Sequence, residues 1–421
     1  MATPRFAGRV GVNVAYKLAS EVLGKLLTLL LIGFVARGLG QAGFGIYVLG
    51  FTLGLILAQV SDFGTQVFVA REVASNRPDI ARLVGNLLLA RGAFGLLALA
   101  CLSIWCLSSG FGPVDRAAIC LLAAGGLVNS LGEFFFYVFR GRQDVRFEAI
   151  LSLAQRLLGL ILGLTAIGLG WGVVGVVAGI FAASCISTLA GYRILLVRFF
   201  RPEFRMDTGL VLSALRDILP IGLAICLSAI CFRVDVVLLQ GLKGVREVGL
   251  YGVGRRLMEP WSLLPAALMA GVFPAFAGLP ADDPRRSALS RNTLALLLGL
   301  GAVIAAAAIA FRRQIIWLVF GPAYADSAFS FAILMTALVP MFITYGLTHF
   351  LIALGLARFN AAFTGAALIL NVGLNLALIP SMGAAGSAIS LLATEGMLMV
   401  LCAGALIHWN RKIDRNCGSA R

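Results

Sequence analysis

The chain has 421 residues, of which 60% are hydrophobic and 13% are charged. A soluble domain contains about 45–50% apolar and about 25% charged residues, so this composition excludes a soluble globular protein. In a soluble protein the formal net charge of +15 would suggest a nucleic-acid partner. Basic residues between membrane spans already explain it, and no nucleic-acid partner is expected.

Long apolar runs follow one another along the whole chain, each bounded by glycine, proline or charged residues. Runs of this length predict the transmembrane helices of an all-α, polytopic membrane protein, because an outer-membrane barrel would show alternating segments of about ten residues. The short connections leave no room for a separate catalytic domain. The twelve predicted spans are residues 10–36, 44–63, 84–108, 115–139, 147–169, 171–196, 211–240, 247–276, 288–311, 327–354, 359–379 and 383–408.

The loop charges predict how the chain is oriented in the membrane. Twenty of the loop arginines and lysines fall on one side and six fall on the other. Since positive loops stay in the cytoplasm, both termini are expected there, which requires an even number of crossings.

An internal repeat relates the two halves of the sequence. Three pairs of segments match in the same order, at shifts of 204, 212 and 211 residues. They predict two six-helix lobes, 1–208 and 209–421, with one orientation, a pseudo-two-fold along the membrane normal and a substrate path between them. Chance similarity among glycine-rich apolar segments is the alternative. The pairs are Gly40–Gly50 with Gly244–Gly254, Arg146–Ala149 with Arg358–Ala361, and Gly172–Gly175 with Gly383–Gly386.

Eight basic and six acidic side chains fall inside the predicted spans. If all fourteen faced lipid, the cost would be on the order of 40 kcal/mol, so most of them must face protein or a hydrated cavity. In the first span Lys17, Glu21 and Lys25 recur every four residues and share one helical face. Two cations around one acid leave positive charge that favours an anionic ligand.

The second half supplies further polar faces. Asp235 follows Arg233 in the seventh span, and Arg255 shares a face of the eighth span with Glu259. Pro260 predicts a kink in that eighth span. For each polar face the alternative is structural, because interhelical hydrogen bonds or ion pairs also hold membrane bundles together.

Other charged or polar positions are weaker candidates. Arg91 and Glu395 are isolated in the pattern, and no role is assigned to them. Arg156 fits a structural role as well as a functional one, and so do Asn371 and Asn375 in the eleventh span.

The sequence does not indicate a site for a metal ion, a cofactor or a nucleotide. The eight cysteines form no C-x-x-C pair, only two histidines are present, and no G-x-x-x-x-G-K-[ST] loop occurs. We therefore expect no metal site and no cofactor.

Two regions of the chain carry a family resemblance. The first lies in residues 36–74 and the second in residues 233–275. Together they resemble the polysaccharide flippases, the oligosaccharide-lipid exporters of the multidrug/oligosaccharidyl-lipid/polysaccharide superfamily. The matching segments are Ala36–Gly40, Phe44–Tyr47, Asp62–Gly64, Arg71–Ala74, Arg233–Lys243, Val248–Tyr251, Arg256–Pro265 and Val272–Ala275.

The resemblance implies translocation of a polyprenyl-diphosphate-linked oligosaccharide to the outer leaflet of the bacterial inner membrane by alternating access, without enzymatic chemistry. A polysaccharide polymerase or glycosyltransferases are the implied partners. The family has no fixed motif for its cavity charges, so the site is predicted from the polar faces. Lys17, Lys25, Arg233 and Arg255 are predicted to bind the diphosphate or an acidic sugar; Glu21, Asp235 and Glu259 are predicted to orient them or to bind the coupling H⁺ or Na⁺.

Two other functions remain open at this point. A cation-coupled multidrug exporter of the same fold would line its cavity mainly with acids, whereas here bases outnumber acids within the spans. A membrane-bound polymerase or ligase would usually present a large outer loop, and every outer connection here is short.

Overall fold

The computed structural model describes residues 4–280 and 283–418, and within these ranges it contains helices and no strand. Eleven segments of the described chain are long and apolar enough to cross a membrane. The all-α, multi-pass architecture predicted from the sequence is therefore confirmed. The predicted cytoplasmic position of the two ends falls partly on residues outside the described ranges and stays a prediction.

Packing divides the chain into two compact units, Met1–Arg233 and Val234–Arg421. The helices of unit 1 are α1 (Pro4–Asp62), α2 (Thr65–Ala74), α3 (Ile80–Ser108), α4 (Pro113–Gly141), α5 (Arg146–Gly168), α6 (Gly172–Ile194) and α7 (Thr208–Cys231). The helices of unit 2 are α8 (Val234–Lys243), α9 (Val245–Met258), α10 (Leu263–Ala277), α11 (Pro284–Ala310), α12 (Arg312–Phe320), α13 (Ser327–Ala353), α14 (Ala357–Met382) and α15 (Ala384–Gly418).

Helix α1 contains the first two predicted spans. Its membrane segment, Ala19–Asp62, has 44 residues, or about 66 Å at 1.5 Å per residue, which is enough for two crossings of a hydrocarbon layer about 30 Å thick. Gly40 interrupts the helix with φ 67° and ψ −178°. Eleven segments, one of them a double crossing, are consistent with the twelve predicted spans.

The seventh predicted span, residues 211–240, is interrupted and is not one continuous helix, although the candidate membrane segment Ile225–Lys243 runs across the interruption. Helix α7 ends at Cys231 and α8 begins at Val234. The two pieces are separated because α7 packs on α1, α2 and α3, whereas α8 packs on α9, α14 and α15. The predicted lobe boundary after residue 208 stays a prediction.

Regular α-helix in the eighth predicted span is interrupted where the sequence indicated a kink. Helix α9 ends at Met258, a 3₁₀ turn covers Glu259–Ser262, and α10 continues from Leu263. Pro260 lies in that turn, where its missing N–H and fixed φ end the regular helical bonding.

Aromatic packing forms the interior of each unit. In unit 1, Phe134 and Phe139 of α4 are fully buried, and the Phe139 ring stacks on Phe199 with centroids 5.1 Å apart. In unit 2, the ring of Phe276 in α10 contacts the ring of Phe350 in α13, with the ring centroids 4.5 Å apart. These contacts fix the helices that carry the charged side chains described next.

Candidate functional site

The polar face of α1 forms one side of a charged cluster in unit 1. Lys17 Nζ lies 2.9 Å from Glu21 Oε1, one turn along the helix, and Lys25 follows one turn later. The structure thus keeps the predicted trio on one face. Lys25 makes no ion pair within 4 Å among the described residues.

A second carboxylate, Glu148, completes the cluster from the first turn of α5. Its side chain is 2% exposed and forms an ion pair with Lys17. Arg140, in the last turn of α4, binds it with two hydrogen bonds, Nε to Oε2 and Nη2 to Oε1, both 2.7 Å. The guanidinium of Arg140 also lies 4.2 Å above the ring of Tyr137. Glu148 therefore joins α1, α4 and α5.

Arg156 of α5 completes the cluster, and its hydrogen bonding is incomplete. Its Nη2 lies 3.6 Å from Glu21 Oε2, which is an ion pair but too long for a hydrogen bond. Its Nη1 is buried against α1 at Gly24 and has no hydrogen-bond partner within the described part of the chain. The side chain is 29% exposed, so part of this poorly satisfied cation is accessible.

The six residues Lys17, Glu21, Lys25, Arg140, Glu148 and Arg156 are hereafter the basic cluster. Four cations and two carboxylates give it a formal charge of 4 − 2 = +2. The sequence predicted a surplus shared by Lys17 and Lys25 around Glu21, but the structure shows Lys17 between two carboxylates. The accessible surplus lies instead at Lys25 and Arg156.

Unit 2 brings three of the predicted residues into one region. Tyr251 Oη donates to Asp235 Oδ2 at 2.5 Å, and Arg255 Nε lies 4.0 Å from the same oxygen. Glu259 pairs with Arg256 at 3.2 Å and also interacts electrostatically with Arg255.

Glu395 and Arg233 were also named from the sequence. Glu395 of α15, which the pattern left isolated, is buried and close enough to Arg255 for electrostatic interaction. Arg233 lies between α7 and α8, where its backbone N–H donates to Ile230 O at 3.0 Å. A grouping of three or more His, Cys, Asp or Glu side chains that could hold a metal is absent from the described residues.

Arg91, also left unassigned by the sequence, has a structural role in the core of unit 1. Its side chain is 1% exposed and pairs with Asp62, at the end of α1. It also bonds Thr65 Oγ1 at 2.5 Å and Ser130 O at 2.9 Å. A buried charge must be paired and hydrogen-bonded, and these contacts tie α2, α3 and α4 to the end of α1.

The asparagines of the eleventh predicted span are structural as well. Asn371 Nδ2 donates to Thr394 Oγ1 at 3.2 Å, and Asn375 Nδ2 donates to Asn371 Oδ1 at 3.0 Å. All three side chains are buried, and the bond from Asn371 to Thr394 holds α14 to α15.

Sequence reasoning missed Glu148 because it lies at a predicted span end. It placed Arg140 on the polar face of the fourth predicted span, together with Glu133, but did not join it to Lys17. One signal was available. Glu148 belongs to the repeated segment Arg146–Ala149, which matched Arg358–Ala361.

Comparison with known proteins assigns both a family and a fold. The family model described as "Polysaccharide biosynthesis protein" matches residues 10–279. No curated protein matches the chain in sequence.

Solved structures with similar folds come from one superfamily. A multidrug resistance MATE family transporter of the MOP superfamily, in its inward-facing conformation, superposes with a TM-score of 0.76 at 17% identity, covering 97% of this chain and 99% of that one. The lipid II flippase MurJ, inward closed, gives a TM-score of 0.69 at 13% identity, covering 96% and 90%. A MOP superfamily transporter from Pyrococcus furiosus, described as having a binding pocket of reverse polarity, gives 0.58 at 16% identity, covering 96% and 93%. The chain therefore has the fold of these transporters.

Proposed function

Since the chain belongs to the polysaccharide biosynthesis protein family, we propose that it is a flippase that carries a polyprenyl-diphosphate-linked oligosaccharide from the cytoplasmic to the outer leaflet. In this proposal it acts in the bacterial inner membrane with both termini in the cytoplasm. It forms and breaks no covalent bond, and a polysaccharide polymerase or glycosyltransferases are its partners.

The charge of the basic cluster is the observation that carries the proposal. A diphosphate esterified to a lipid and to a sugar bears two negative charges at neutral pH, and the cluster has a formal surplus of two positive charges. The diphosphate loses its hydration on entering the membrane, and charge-assisted hydrogen bonds from guanidinium and ammonium groups replace that hydration.

The contacts within the basic cluster indicate a different role for each of its residues. Glu148 holds Lys17 and Arg140, so these two cations have fixed positions. Lys25 and Arg156 have weaker partners, and we assign the direct contacts with the diphosphate to them. Glu21 forms ion pairs with both Lys17 and Arg156, and it orients the two cations through these pairs.

The predicted residues of unit 2 fit ion coupling better than substrate binding. Arg255 interacts with three acids, Asp235, Glu259 and Glu395, which lowers its attraction for a further anion. We propose that this group responds to the H⁺ or Na⁺ gradient that drives transport. Flipping by an Asp235→Asn variant should then lose its response to an imposed pH or sodium gradient.

The test is a flipping assay with the full chain in proteoliposomes. The probe is a fluorescent polyprenyl diphosphate carrying one hexose, and its transfer between leaflets is measured by chemical quenching from one side. Lys25→Gln and Arg156→Gln should each reduce probe affinity about tenfold, the value of one charge-assisted hydrogen bond. Arg313→Gln, which removes an exposed arginine of α12, is the matched control and should have no effect.

Either of two results would contradict the proposal. One is unchanged probe affinity in both cluster variants. The other is export of a fluorescent organic cation by a protein that does not bind the diphosphate probe, which would identify a multidrug exporter of the same fold.

A further inference from the structure

A second set of hydrogen-bonding side chains in unit 1 lies outside the basic cluster. Gln155 Nε2 of α5 donates to Asn129 Oδ1 of α4 at 2.8 Å and to Ser184 Oγ of α6 at 3.1 Å. Asn129 Nδ2 in turn donates to Glu133 Oε1 at 3.0 Å. We call these four residues the polar ladder. It contains two amides, one hydroxyl, one carboxylate and no cation.

The helical register places the polar ladder at a defined depth relative to the basic cluster. Glu133 precedes Arg140 on α4 by seven residues, and Gln155 follows Glu148 on α5 by seven. Seven residues are two helical turns, so each pair shares a helical face and is separated by about 10 Å along the axis. On both helices the residue of the polar ladder lies farther from the α4–α5 loop than the residue of the basic cluster. A diphosphate and the sugar attached to it extend over a comparable length.

The accessible group in the polar ladder is Glu133. Its carboxylate accepts a hydrogen bond from Asn129 and interacts with Gln66, yet its side chain is exposed. A carboxylate inside a membrane span is costly unless it faces water or a polar ligand. Arg91, which interacts electrostatically with Glu133, is already paired with Asp62, so it does not cancel the negative charge of Glu133.

We propose that the polar ladder binds the first sugar of the lipid-linked oligosaccharide and selects an uncharged ring with vicinal hydroxyls. This inference rests on the proposed function, in which the basic cluster holds the diphosphate. Carboxylate and amide oxygens accept hydrogen bonds from sugar hydroxyls, and the amide N–H groups donate to them. A uronic acid at this position would place its carboxylate against Glu133, and like charges repel strongly where little water screens them.

The experiment measures binding of three probes to the purified full chain by isothermal titration calorimetry. Farnesyl methyl diphosphate carries no sugar, farnesyl diphosphoglucose carries a neutral sugar, and farnesyl diphosphoglucuronic acid carries an acidic one. All three share the same lipid and the same diphosphate diester. Differences in affinity therefore report the sugar alone.

For the unmodified protein we expect the glucose probe to bind about tenfold more tightly than the methyl diester, and the glucuronic acid probe to bind about tenfold more weakly than the glucose probe. Glu133→Gln keeps the shape of the side chain and removes its charge, so it should bring the two sugar probes to within about twofold of each other. Asp115→Asn makes the same charge change on the same helix, 18 residues or about 27 Å away, and should leave the ratio unchanged.

Failure of the polar ladder is distinguishable from failure of the basic cluster. If the methyl diester binds with an affinity that depends on Arg156 but the glucose and glucuronic acid probes bind equally well, the ladder proposal is overturned and the flippase proposal stands. The ladder proposal is also overturned if Glu133→Gln leaves the preference of the unmodified protein intact. If no probe binds, or if Lys25→Gln and Arg156→Gln both leave the affinity for the methyl diester unchanged, the flippase proposal itself fails.

Discussion

Within the basic cluster, individual side chains differ in how firmly they are held. Arg140 has two short hydrogen bonds to a buried carboxylate and an aromatic ring beneath it. Arg156 has a single long ion pair and one nitrogen without a partner in the described chain. A bound anion gains most from the cation whose existing bonds are weakest, because it displaces the least. Arg156 is therefore the residue whose position should matter most for binding.

Gly24 gives a way to move Arg156 without changing any charge. A β-carbon at Gly24 would lie 2.6 Å from Arg156 Cζ, so Gly24→Ala forces the guanidinium away from α1. The displaced group is the end of a flexible side chain, and we expect the thermal unfolding midpoint to change little. We expect affinity for the diphosphate probe to fall several-fold, by up to about tenfold.

The matched control is Gly92→Ala in α3, where a β-carbon meets no atom within 4 Å. It should leave affinity unchanged. Equal affinity in Gly24→Ala and the unmodified protein would argue against a direct role for Arg156 in binding.

The residues that could be predicted are those whose partners lie on the same helix. Lys17 and Glu21 are four positions apart, so helical periodicity alone brings them together. Lys17 and Glu148 are 131 positions apart, and Arg91 and Asp62 are 29 apart. Such pairs depend on how whole helices pack, which a single sequence with its spacing does not determine.

Between the helices, two of the three repeated pairs have glycines with positive φ at matching positions. Gly40 has φ 67° and ψ −178°, and Gly244, its counterpart 204 residues later, has φ 84° and ψ 178°. Gly172 and Gly383, in the third repeated pair, also have positive φ, 63° and 55°. Each break occurs between two helices at the same place in the motif, so the repeated sequence encodes a repeated bend.

These bends could be predicted because they depend on local glycine chemistry, since residues with side chains rarely adopt this conformation. The break between α7 and α8 had no such signal. It falls at Phe232 and Arg233, which have no glycine or proline beside them, and follows from the different packing partners of the two helices.

Replacement of either repeat glycine should cost stability through the backbone alone. No atom lies within 4 Å of a β-carbon built at Gly40 or Gly244, so steric overlap with neighbours is not involved. Gly40→Ala and Gly244→Ala should each destabilise the protein by about 1–3 kcal/mol, measured as a lower unfolding midpoint in detergent. Gly92→Ala, in a regular helix, should be neutral or stabilising by about 0.5–1 kcal/mol. Similar midpoints for all three variants would contradict a conformational role for the repeat glycines.

For the whole molecule, the orientation in the membrane determines what the basic cluster does. The cluster lies where α4 ends and α5 begins, beside the connection that the loop charges assign to the cytoplasmic side. A lipid-linked sugar assembled from cytoplasmic precursors would meet the cations directly on that side. The export direction of the proposed flippase therefore depends on this orientation.

Helix α3 offers the sharpest test of the orientation, because its 29 residues, about 43 Å, make one crossing. Ser75 precedes the helix and Ser108 is its last residue; both are exposed. In a background with all eight cysteines replaced, Ser108→Cys should react with a membrane-impermeant maleimide in intact cells, whereas Ser75→Cys should react only after permeabilisation. The reverse result would put the basic cluster on the outer face, where anionic lipid would load from outside. In that case the flippase would have to move its lipid-linked substrate inward, and the role proposed for this chain in polysaccharide export would be wrong.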